Sequence, residues 1–166
     1  MKFYSLFLIC LLLSFINTKK NIKEIEYRQK VISKYTKTFT FISIKFNKES
    51  GIVAQYQTGL DKFEIDPETL EIIDKNGDEG LKTFELTNEE LGLKPNKELF
   101  KNFDKIEFPE ETDYINSVFW DFPQWHLIVD GKDYKFNVNP DFYIQFNDLV
   151  NIKNIKDYVI KLYNNE

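Results

Sequence analysis

The chain has 166 residues and a formal net charge of −5, from 22 Lys and Arg against 27 Asp and Glu. That length is one domain, and an acidic chain whose only arginine is Arg28 lacks the basic footprint of a nucleic-acid binder or of a protein drawn to anionic lipid. With Cys10 as its single cysteine it has no disulfide framework, so the fold must rest on packing, for which sixteen Phe, nine Tyr and two Trp supply the surface.

Lys2 precedes an uncharged apolar run over residues 3–16, and polar Asn17, Thr18, Lys19 and Lys20 follow it. Fourteen residues of helix rise roughly 21 Å, well short of a hydrocarbon core of about 30 Å. The run therefore reads as a secretory signal over residues 1–18, followed by a single α+β domain over residues 19–166. A periplasmic, envelope-associated or secreted location is expected, with no stable membrane span after cleavage. A retained N-terminal anchor is the alternative. Cys10 does not fit a lipid-modified cysteine, because Ile9 before it is not small.

Residues 21–35 read as a first helix, with Ile22, Ile25 and Ile32 near one stripe and lysines elsewhere. Residues 38–47, TFTFISIKFN, read as a strand. Its apolar parity switches between Phe41 and Ile42, which fits either a bulge or burial on both faces. A turn at 48–51 should return residues 52–57 antiparallel to it. Short strands are expected around 63–65, 70–72 and 81–86, with turn chemistry at 66–69 where Pro67 presets the second position. Thr87 and Glu90 form a capping box before a helical turn closed by Gly92, and Asn96 is placed to cap a segment carrying Leu99, Phe100 and Phe103. Residues 107–112 are acidic, contain Pro109 and read as exposed loop.

Residues 124–137, QWHLIVDGKDYKFN, carry the strongest local signal. Asp130-Gly131 is a two-residue hairpin turn in which both positions take positive φ. Val129 then faces Lys132, which fixes the register. Trp125 pairs with Phe136 and Leu127 with Tyr134 on one face, while His126 opposes Lys135 and Ile128 opposes Asp133 on the other. Cross-strand aromatic pairs of this kind add roughly 0.2–1 kcal/mol each. Residues 139–146 fit two readings, a helix started by Pro140 or a strand alternating Phe142, Ile144 and Phe146. Ile152, Ile155, Val159 and Leu162 recur at helical spacing and define a final helix. The expected fold is α+β: an antiparallel β-sheet built from hairpins, with N-terminal and C-terminal helices packing on it.

Residues 74–85, DKNGDEGLKTFE, resemble the EF-hand calcium loop, with Asp74, Asn76 and Asp78 at its first, third and fifth positions and Glu85 at its twelfth. Glu79 replaces the sixth-position glycine, Lys82 occupies the ninth, and the flanks read as strands. The resemblance implies a weak calcium-binding module. The alternative is a polar turn. No other cofactor is indicated.

Trp120, Phe122 and His126 lie in one aromatic-rich stretch and are candidates for contact with a partner protein, against a reading in which these rings fill the core. His126 is the only histidine, and it works as a general base only beside a nucleophile or an orienting carboxylate. No nucleophile motif or phosphate loop is present, and paired acids such as Glu89-Glu90 and Glu110-Glu111 are expected in an acidic chain. The leading functional expectation is an exported, non-catalytic domain that binds another protein, a basic one by charge, as an envelope accessory, inhibitor or immunity-type protein. The alternatives are a carboxylate-based hydrolase of a glycan or cell-wall polymer, and the calcium module.

Overall fold

The computed structural model describes residues 20–33, 36, 38–60, 63–65, 72–74, 80–108, 124–135 and 141–165. Among these residues eight strands appear in chain order: β1 Glu24–Ser33, β2 Thr38–Asn47, β3 Gly51–Leu60, β4 Phe63–Ile65, β5 Ile72–Asp74, β6 Lys82–Leu86, β7 Gln124–Val129 and β8 Lys132–Lys135. The helices are α1 Asn96–Phe103, α2 Asp141–Val150 and α3 Ile152–Asn165. Six strands form one antiparallel sheet in the order β6-β3-β2-β1-β7-β8, and β4 pairs with β5 separately. An antiparallel sheet with helices on it is the α+β arrangement expected. Among the described residues no helix is long and apolar enough to cross a membrane.

The first predicted helix is corrected: residues 24–33 form a strand. Its side chains alternate, with Ile25, Tyr27 and Gln29 pointing one way and Glu24, Glu26 and Arg28 the other. Three isoleucines at helical spacing mimicked a stripe, but the strand is fixed by two neighbours. β2 pairs along its whole length, from Glu24 opposite Asn47 to Ser33 opposite Thr38. β7 pairs on its other side, with Tyr27 opposite Leu127 and Arg28 opposite His126. The start of β1 is held by the β7–β8 turn, where Asp130 Oδ1 accepts the backbone N–H groups of Lys23 and Glu24, each at 2.9 Å.

The predicted hairpin register is observed: Val129 opposes Lys132, Leu127 opposes Tyr134, Ile128 opposes Asp133, and His126 opposes Lys135. Asp130 and Gly131 have φ of 48° and 83°, as a type I′ turn requires. The expected Trp125–Phe136 pair lies outside the described residues. β2 runs without a bulge against β1 and β3. Its parity switch records burial on both faces, since Ile42, Ile44 and Phe46 are buried on one and Phe39 and Ser43 on the other.

All three helices pack on the face that carries Ile25, Tyr27, Ile44, Phe46 and Leu127. α1 brings Leu99, Phe100 and Phe103 to it; α2 brings Phe146 and Val150; α3 brings Ile152, Ile155 and Val159. Phe46 stands edge-on to both Phe103 and Phe146, with ring centroids 5.9 Å apart in each pair. Burying one such ring is worth about 1.5–3 kcal/mol.

The capping box is present, with Thr87 N–H donating to Glu90 Oε2 at 2.8 Å and Glu90 N–H to Thr87 Oγ1 at 3.2 Å. Asn96 does not cap α1: Pro95 occupies the cap position, and Asn96 Nδ2 donates to the Asn47 carbonyl instead. Residues 141–150 resolve to a helix. Asn151 ends it at φ 47° and caps the next, accepting from Asn154 N–H. The turn chemistry expected at 66–69 and the loop over 109–112 lie outside the described residues.

Phe46→Ala removes the ring shared by β2, α1 and α2 and is expected to cost about 3–5 kcal/mol in denaturant unfolding. A loss below about 1 kcal/mol would show that Phe46 does not join these layers.

Candidate functional site

The candidate site is the side of the sheet on which, among the described residues, no helix packs. Register places its side chains in rows running across the strands. One row reads Glu85, Val53, Lys45, Glu26, Ile128, Asp133, and the next reads Thr83, Gln55, Ser43, Arg28, His126. The alternation that sends Tyr27 into the core sends Glu26 and Arg28 here.

Glu26 sits at the centre and is only 5 % exposed. A buried carboxylate requires partners. Its Oε1 accepts from Arg28 Nε at 2.9 Å and from Ser43 Oγ at 2.8 Å, and Arg28 Nη2 stands 2.9 Å away. Lys45 Nζ lies 3.9 Å from Oε2 and 3.4 Å from Glu24 Oε1. Arg28 and Lys45 remain substantially exposed. The face therefore combines a fixed charged centre with accessible donors around it.

One strand along, His126 Nδ1 meets the Asp133 carboxylate at 2.8 and 3.0 Å. The two residues are diagonal neighbours across the β7–β8 hairpin, on the same face by parity. A carboxylate at Nδ1 holds the ring with Nε2 turned away from it. Among the described residues no hydroxyl hydrogen-bonds His126. The arrangement can bind and orient, and it supplies half of an acid–base relay.

The structure brings together only some of the residues singled out in the sequence. His126 is on the outer face, half-hidden. Trp120 and Phe122 lie outside the described residues, as do Asn76 and Asp78 of the calcium-like loop. Asp74 ends β5, and Glu85 lies within β6 opposite Val53. Both flanks of that loop are strands, where an EF-hand has helices. Among the described residues no group of three His, Cys, Asp or Glu side chains is placed to hold a metal.

Sequence reasoning missed Glu26, Arg28 and Asp133. The first two were hidden by the helical reading, although their alternation with Ile25 and Tyr27 was visible. Asp133 was already fixed on the His126 face by the hairpin register.

Compared with known proteins, the chain matches no family model, no curated protein and no solved structure.

Arg28→Met leaves the Glu26 carboxylate buried without its nearest cation and is expected to cost about 1–3 kcal/mol. Lys45→Met, farther away and exposed, should cost less than about 0.5 kcal/mol. Equal losses in urea unfolding would contradict this division of roles.

Proposed function

We propose that the chain is an exported domain that works by holding a partner protein against the outer face of its sheet. The observation that carries this reading is the Glu26 centre. A carboxylate fixed by Arg28 and Ser43, surrounded by the accessible ends of Arg28, Lys45 and His126, presents rigid charge with no helix over it among the described residues. Preorganised polar groups of this kind confer specificity and speed association. The net charge of −5 favours a basic partner. The apolar run over residues 3–16 favours export.

One observation favours a second reading, hydrolysis. Asp133 supplies the orienting carboxylate that a general-base histidine requires. Turnover of a glycan or peptide by the purified protein, abolished by His126→Ala, would replace the binding reading.

A photo-crosslinker at Val53 on the outer face should capture one discrete protein from the producing cells. Gln55→Arg should reduce that capture about tenfold, equivalent to roughly 1.4 kcal/mol. The crosslinker-bearing chain in the adduct should begin after residue 18, and the yield of the adduct should fall as salt rises. Equal capture from Ile144, which is exposed on α2, would contradict a face-specific partner. A crosslinker-bearing chain that retains its leader would contradict cleavage alone.

A further inference from the structure

On the opposite side of β1, the inner face carries a polar group that packing does not require. Gln29 follows Ile25 and Tyr27 into the layer between sheet and helices and is 8 % exposed. Its Oε1 accepts two hydrogen bonds, from Lys156 Nζ on α3 at 2.6 Å and from the Tyr27 hydroxyl at 2.9 Å. These two donors fix the orientation of the amide, because an NH2 group cannot accept from an ammonium. Nε2 is therefore turned away from them, and it has no hydrogen-bond partner among the described residues.

Lys156 is equally unusual. It makes no ion pair among the described residues. Its ammonium lies 5.9 Å from the Tyr27 ring centroid. Burial pushes its pKa down, and neighbouring Asp157 offsets this only in part. Burial also pushes the Tyr27 phenol above its ordinary range, so Tyr27 remains a donor. The Tyr143 ring stands 6.4 Å from that of Tyr27. The cluster is thus rich in donors, carries one positive charge and is walled by aromatic rings.

We propose that Lys156 and Gln29 form a binding site for the oxyanion of a small organic acid, with the partly exposed Tyr143 ring flanking its apolar body. The ammonium supplies charge and spare N–H groups, and the Gln29 amide supplies a directed donor. Asn96 Oδ1 is the only fully buried side-chain atom without a partner among the described residues. Gln29 Nε2 therefore keeps access to solvent and to a ligand. A carboxylate and a phosphate share this chemistry. The site does not rest on the outer-face reading, since it uses the other face of β1 and α3.

The test is a titration of the isolated protein with benzoate and, separately, with inorganic phosphate, followed through the Gln29 side-chain amide resonance. Saturable movement is expected with a Kd of about 1 mM or tighter for at least one probe. The Lys156 titration should move upward on saturation, as a bound anion favours the ammonium. A response to benzoate alone assigns a carboxylate, and one to phosphate alone assigns a phosphate. Lys156→Met should weaken binding at least about tenfold, while Lys153→Met, exposed on the same helix, should not. No saturable movement with either probe at about ten times that concentration would overturn the proposal. So would unchanged binding in Lys156→Met with its fold confirmed by backbone resonances.

Discussion

β1 lies between two antiparallel neighbours, β2 and β7, and this position divides the molecule into two chemically different sides. Period-two alternation along a single strand sends Ile25, Tyr27 and Gln29 toward the helices and Glu26 and Arg28 away from them. A slip of one residue would place the Glu26 carboxylate among phenylalanines and Tyr27 on the outer face. The energetic gap between those registers is large, because one involves burying an unpaired charge and the other does not. Asp130 strengthens the choice by binding two backbone N–H groups at the point where β1 begins.

The aromatic core and the polar outer face are consequences of the same pairing. Phe46 opposes Ile25 in the register, and its ring meets Phe103 and Phe146 from two helices. Lys45, the residue before it, leans toward Glu26 on the other side. In the absence of disulfides, interlocked rings supply the rigidity that lets a charged face hold its shape. Gln29 is the exception on the inner side. It is a polar residue at an apolar register position, and its two donors come from β1 itself and from a helix 127 residues later.

Much of this was legible from local chemistry. Asp130-Gly131 fixed a register that the structure reproduces in all four described pairs, because both residues tolerate positive φ and the strands are short. Thr87 and Glu90 announced their reciprocal hydrogen bonds through spacing alone. The spacing of Ile152, Ile155 and Val159 gave α3 for the same reason. Residues 21–35 misled because Ile22, Ile25 and Ile32 satisfy a helical stripe, while Tyr27 and Gln29 disguise the strand alternation as polarity. Tertiary pairing overrode local propensity there. Asn96 misled because a cap-forming side chain found a better acceptor on β2. Of the outer face, His126 was named beforehand as a partner-binding candidate and Glu85 only as a position of the calcium-like loop. The partner of His126, Asp133, followed from register, but the Glu26–Arg28–Ser43 centre joins two strands and could not be seen while one of them was read as a helix. The Lys156–Gln29 bond has no sequence signature, since nothing local links α3 to β1.

Amide hydrogen exchange across residues 24–33 tests the central position of β1 most directly. A strand hydrogen-bonded on both sides opens only with the whole domain. The amides from Ile25 to Lys30 should therefore exchange among the slowest in the protein, with cross-strand proton contacts from Tyr27 to both Ile44 and Leu127. Rapid exchange there, or sequential amide contacts of helical type along residues 24–33, would contradict the two-sided sheet from which both faces follow.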